Sequence, residues 1–140
     1  MRFCKIVLLF LGCLAVSLAP VYLTGTTVFE GGETYTFYLN SKSSSAQMVR
    51  VDGAESWKKL FLTDCVGESA TYSGQCAQEI LSRYRAEVRF TERVGDVMSY
   101  YCYSPMLGEG IALCGSEINL HVAESAAQTV AGTPVIFGGY

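Results

Sequence analysis

Histidine is nearly absent from the 140 residues: His121 stands alone. With no second histidine and no CxxC pair, the chain lacks the donors of a tetrahedral zinc site, so no metal is expected. Between Leu120 and Val122, His121 reads as the outward, solvent-facing residue of a strand. No GxSxG elbow occurs, and Asp64, Glu68 and Glu79 have no spacing that proposes a carboxylate pair or a calcium loop. Gly108 and Gly110 form GxG with no helix after them, too little for a phosphate cradle. No catalytic residue and no cofactor are expected. Asn-x-Ser/Thr acceptors are missing as well: Asn40 is followed by Ser-Lys and Asn119 by Leu-His, so N-glycosylation is not expected.

Long apolar runs are missing except at the start. In MRFCKIVLLFLGCLAVSLAP, Arg2 and Lys5 precede the apolar run from Ile6 to Val16, and the small residues Ala15, Ser17 and Ala19 follow. A membrane span needs about 20 apolar residues. The layout predicts a cleaved secretory signal over residues 1–17, hence a secreted protein or one on the extracellular face of a membrane. A cut after Ser17 suits the peptidase better than one after Ala19, where Pro20 follows. FLGC as a lipoprotein box fits poorly because Phe10 and Leu11 are bulky. Removing Arg2 and Lys5 from the 10 basic side chains leaves 8 against 13 acidic ones, a net charge near −5. Nucleic acid is excluded as a partner, since phosphate binding requires clustered Lys and Arg.

Past the leader the chain carries Cys65, Cys76, Cys102 and Cys114. Four cysteines in a small secreted domain predict two disulfides, with three connectivities open. The rest reads as short β-type runs broken by turns, the pattern of an all-β sandwich or barrel. VYLTGTTVFE is a first strand region. GGETYTFYLN alternates Tyr35, Phe37 and Leu39 on one face, and MVRVDG is a short strand. SWKKLFLTDC reads as another strand and VGESATYSGQ as a polar loop. AQEILSRYRAEV fits a helical turn or two, followed by a strand from Arg85 to Thr91 with Val88 and Phe90 inward. VMSYYCYS alternates Met98, Tyr100 and Cys102, SPMLGEGIA is a loop, and INLHVA alternates Ile118, Leu120 and Val122. The small residues from 124 to 140 read as a flexible tail or stalk.

Asp96, Met98, Tyr100 and Cys102 form DxMxYxC, which resembles the penultimate-strand signature of variable-type immunoglobulin domains. CGSEINLHV is similar to the family's last strand through Gly115, Leu120 and Val122, and GETYTFYL to its second strand, with Leu39 where the family has a cysteine. The resemblance implies an immunoglobulin-like β-sandwich over residues 18–123, with two antiparallel sheets in Greek-key order. It implies a corner built from Asp96 and Tyr100, with Arg83 or Arg85 as the partner of Asp96. With Leu39 in the usual cysteine's place, Cys102 pairs with Cys114 across a hairpin and Cys65 with Cys76; the alternative is a buried, reduced Cys102. In this family the outer face of that strand and the loop after it often meet partners. Tyr101, Tyr103, Met106, Leu107 and Ile111 are therefore the candidate contacts of a module that binds another protein, in a receptor, ligand or immune-modulatory role. Any membrane link would come from an anchor outside these residues. Two alternatives stand beside it: a subunit that self-assembles through TPVIFGGY, and an inhibitor that presents the loop between Cys65 and Cys76.

Overall fold

The computed structural model describes residues 27–138, with Val7 and Cys13 besides; the rest of the expected signal segment and the start of the first strand region lie outside the described residues. Among the described residues nine strands form: β1 (Thr34–Leu39), β2 (Gln47–Asp52), β3 (Cys65–Ser73), β4 (Glu87–Val94), β5 (Val97–Tyr103), β6 (Ile111–Leu113), β7 (Ser116–Ile118), β8 (Leu120–Glu124) and β9 (Gln128–Thr133). Seven join one antiparallel sheet in the order β2-β1-β3-β9-β8-β5-β4, and β6 with β7 makes a separate hairpin. The chain is therefore predominantly β, as its alternating runs predict. A 3-10 helix (Gly53–Phe61) and an α-helix, α1 (Ala77–Arg83), complete it.

Alternation works where it is clean. Tyr35 and Phe37 of β1, Cys102 of β5 and Leu120 and Val122 of β8 all turn to one face and join a single core with Ala70, Ala131 and α1. Ala77, Ile80 and Leu81 are the buried residues of α1. This helix has no side-chain cap of its own. Instead the Glu124 carboxylate accepts the Ala77 N–H at 2.7 Å, and Thr129 Oγ1 accepts the Cys76 N–H at 3.0 Å. A carboxylate at a helix N-terminus is favoured by the exposed N–H groups and the helix dipole, so β8 and β9 fix where α1 begins. Arg85, at φ 49°, ends it in the left-handed region, and the Ala86 N–H returns to the Leu81 carbonyl.

Glu68 makes the second long-range tie. It is 1 % exposed, and its Oε1 accepts the N–H groups of Val28 (2.6 Å) and Phe29 (3.2 Å) while Lys59 Nζ lies 2.6 Å from Oε2. Three donors compensate a carboxylate that burial would otherwise disfavour. The same bonds hold Phe29 in the core, edge-on to Tyr84 at 5.5 Å.

Several expectations are corrected. SWKKLFLTDC is mostly 3-10 helix, not strand. The expected loop between Cys65 and Cys76 is β3, hydrogen-bonded on both sides, which removes the exposed inhibitory loop. An extended strand of this length separates its ends by about 25 Å, and a disulfide needs Cα atoms within about 7 Å, so Cys65 and Cys76 stand apart as free thiols. Val88 and Phe90 do not share a face: Val88 lies opposite Cys102 and Phe90 opposite Tyr101, with the register shifting between them. His121 is buried, 3 % exposed. The strand alternation assigns it correctly to the face opposite α1, but residues 134–137 fold back over that face: the Ile136 N–H meets His121 Nδ1 at 3.4 Å and Phe137 packs edge-on to Tyr38 at 5.1 Å. Gly132 permits the return, since a Cβ there would lie 2.7 Å from the Ile136 side chain.

The largest correction concerns the supposed tail. Residues 128–133 form β9, paired with β3 on one side and β8 on the other, with Val130 and Ala131 buried. The sheet does not stop at residue 123: Thr133 pairs with Glu68 at the end of β9, and Ile136 and Phe137 return over the face of His121 and Tyr38. A chain truncated after Ser125 is expected to lose cooperative folding, read by far-UV circular dichroism and urea unfolding. A dispensable stalk would leave both unchanged.

Candidate interaction surface

The candidate contacts gather around one feature, the excursion between β5 and β8. Residues 104–110 form a loop and residues 111–118 the β6–β7 hairpin, whose register pairs Ile111 with Ile118 and Leu113 with Ser116. The two turn residues, Cys114 and Gly115, have φ 49° and 77°. Two successive positive φ values are what a tight two-residue hairpin needs to follow the strand twist. Glycine meets that at no steric cost, while Cys114 holds the conformation less easily.

The base of this arm is a buried polar joint that the cysteine and aromatic patterns do not reveal. Asn119, fully buried, accepts the Ser104 N–H at 2.6 Å through Oδ1, and its Nδ2 donates to the carbonyls of Ser104 (2.8 Å) and Gly108 (2.9 Å). The Ser104 hydroxyl, also buried, donates to the Tyr84 carbonyl and accepts the Met106 N–H. One asparagine thus pins both ends of the loop, and one serine ties it to the end of α1. The available signal was a lone amide between Ile118 and Leu120: a polar residue within an apolar run must find partners when buried.

The pinned loop sorts its apolar residues. Met106 is turned outward, 57 % exposed, whereas Leu107 packs against the core and Ile111 is half-buried in β6. Tyr103, at the end of β5, is half-buried with the Arg89 guanidinium 5.5 Å from its ring centroid. Tyr101 lies deeper in a cross-strand stack, 4.5 Å from Phe90 and 4.3 Å from His121, near-parallel to both. It is a structural rung with one accessible edge, since its hydroxyl lies 3.4 Å from Glu92. Beside the loop, Gly108 and Glu109 form one wall of a cleft of about 470 Å³ whose other lining includes Lys42, Lys59, Cys65 and Pro134.

The cysteines do not form the expected staple. Cys102 points into the core at 0 % exposure, and burial pushes its thiol up to about 12. Cys114 is exposed at the hairpin tip, with Gly115 and the whole of β7 between it and Asn119, whose N–H bonds the Cys102 carbonyl, so it stands roughly 10 Å or more along a strand from that level. The structure therefore has the buried, reduced Cys102 in place of the Cys102–Cys114 bond, and the hydrogen bonds of Asn119 close the loop instead. Burial also raises the Cys65 thiol, opposed by Lys59. Asp96 occupies the exposed Gly95–Asp96 turn between β4 and β5, and Arg83, one of its expected partners, pairs with Glu79 at 2.7 Å. Tyr100 packs against the core from β5. Among the described residues no group of His, Cys, Asp and Glu could hold a metal.

Removing the joint should loosen the arm. Asn119→Ala deletes three hydrogen bonds and strands buried backbone groups, an expected loss of about 2–4 kcal/mol by urea unfolding, with faster proteolysis within residues 105–110. His121 supplies a pH test. Burial pushes it from 6.5 down to about 4, so as the pH falls below 6.5 the unfolded chain takes up a proton that the folded chain refuses. Stability should fall on acidification between those values, by on the order of 3 kcal/mol for this group. His121→Phe should lack that component in a comparison of the two unfolding profiles. Comparison with protein-family models, curated proteins and solved structures gives no match to this chain.

Proposed function

We propose that this chain is a secreted or surface-displayed module that binds another protein through the arm between β5 and β8, with no catalytic role. The observation that carries the reading is the Ser104–Asn119 joint. Burying an amide and a hydroxyl to hold a loop is costly unless every bond is made, and here it fixes a loop whose tip presents Met106 to solvent. A surface fixed before contact loses less conformational freedom on binding. Tyr103 beside the loop and Leu113 and Ile111 in the hairpin add half-buried apolar area, and the cleft along Glu109 offers a partner side chain a place to enter.

The immunoglobulin-like assignment belongs to the same proposal. Its support is the adjacent antiparallel pairing of β5 with β8 around the arm, which is the arrangement that the DxMxYxC resemblance implies for the last two strands. The continuous seven-strand order departs from the pairing of two separately bonded sheets. The binding role rests on the arm, not on that assignment.

The test is a screen of the purified protein against an arrayed set of cell-surface and secreted proteins. A partner is expected whose binding weakens at least about tenfold, or 1.4 kcal/mol, with Met106→Asp and Tyr103→Ala. Phe61→Asp, on the 3-10 helix, should leave that binding unchanged. A partner insensitive to the arm and lost through substitutions elsewhere would overturn the reading.

A further inference from the structure

The 3-10 helix at Gly53–Phe61 is built inside out. Its apolar residues are not the ones that hold it to the sheet: none of its residues is buried, and Trp57, Leu60 and Phe61 are 54 %, 38 % and 76 % exposed. The group turned inward is a charge. Lys59 Nζ lies 2.6 Å from the buried Glu68 carboxylate and 6.0 Å from the centroid of the Phe37 ring. With Lys59 withdrawn, Trp57 and Phe61 pair edge-on at 5.9 Å on the outer side. An ordinary surface helix does the reverse, burying its apolar stripe.

Area and charge decide what such a face fits. A whole aromatic side chain buries about 150–250 Å², so these three partly exposed residues offer on the order of 350 Å². A stable protein interface takes about 800 Å² from each partner, so the face is too small to pair with a second copy. The neighbouring exposed charges cancel, since Lys58 Nζ lies 2.8 Å from the Glu55 carboxylate, and they give no field for a charged ligand. A lipid surface demands neither shape complementarity nor large area, and Trp and Phe favour the boundary between headgroups and acyl chains.

We infer that the Trp57–Leu60–Phe61 face inserts into the interface of a lipid bilayer, with uncharged-headgroup binding driven by apolar burial. The chain would then meet membranes through its own surface, apart from any anchor, and none of the three residues belongs to the arm between β5 and β8.

Trp57 is the single tryptophan, so its emission reports on this face alone. Phosphatidylcholine vesicles titrated into the full protein should shift the emission to shorter wavelength, brominated lipids should quench it, and added salt should change little. Phe61→Asp should lower the partition coefficient at least about tenfold with the thermal melt unchanged, because the site is exposed. Val94→Asp, at another exposed apolar position, on β4, should bind as the parent does. If Phe61→Asp impairs folding, Trp57→Ala followed by vesicle flotation takes its place, with the same loss expected. No lipid-dependent shift, binding confined to anionic vesicles and lost in salt, or a shift that follows protein concentration without lipid would each overturn the inference, the last by pointing to a second copy.

Discussion

The hydrogen bonding of β9 on both edges is the constraint on which the rest of this structure depends. β2, β1 and β3 form one antiparallel group, and β8, β5 and β4 another; among the described residues β9 is the strand that hydrogen-bonds to both. Its pairings run from Glu68↔Thr133 to Ser73↔Gln128 on one side and from His121↔Gly132 to Glu124↔Thr129 on the other. Because β3 and β9 are far apart in the chain, this closure is non-local, and its entropy must be met before the contacts reward it. The small side chains of β9 follow from its position. Gly132 lets the chain return over His121, Ala131 fits beneath the core, and Thr129 uses its hydroxyl to link the Cys76 N–H to the Gly74 carbonyl at the entry to α1.

From that closure the two surfaces acquire their separate roots. Glu68, on β3 beside β9, collects two backbone N–H groups and Lys59, so the 3-10 helix is held by an ion pair and its aromatic residues are left outside. Across the cleft that Lys59 and Glu68 share with Gly108 and Glu109, Asn119 and Ser104 hold the arm where β5 meets β8. Both fixings use buried polar groups with their bonds made. Such groups specify one geometry more than they add net stability, because leaving any bond unmade costs more than making it returns. The edges between are treated differently. β4 is almost wholly exposed, carries Glu87, Arg89, Glu92 and Arg93, and has its register shift at Arg89, features that discourage pairing with another strand.

The β character and the strands β1, β5 and β8 are legible in the sequence because each has one face on the core. Tyr35 and Phe37, Tyr100 and Cys102, and Leu120 and Val122 therefore alternate with less apolar neighbours. β3 and β9 are not legible for the opposite reason. Each has other parts of the chain packed close against it, so Gly67 and Gly132 must be small, and together with Ser69, Ala70 and Ala131 they read as loop or tail. A Cβ at Gly67 would lie 2.5 Å from the Thr133 carbonyl oxygen, a requirement that composition renders as flexibility. His121 shows a different limit: alternation gives the face, but whether a face is covered depends on where residues 134–137 return.

The candidate site divides in the same way. Tyr101, Tyr103 and Met106 were legible as a group because aromatic and apolar residues next to a turn stand out, yet the pattern could not rank them. Tyr101 is held between Phe90 and His121, and of the three Met106 is the exposed one. The cysteines misled because their even number and loop-sized spacing suit a covalent closure equally well. What decides is direction. A residue alternating with Tyr101 and Tyr103 must face the core, so Cys102 is aimed away from any hairpin tip, and the loop needs a non-covalent lock at its base. Asn119, one residue before the inward Leu120 and across from the Cys102 carbonyl, is placed to reach both ends of that loop. The arm is therefore shaped by the same alternation that buries Cys102, and its rigidity is a consequence of how β8 begins.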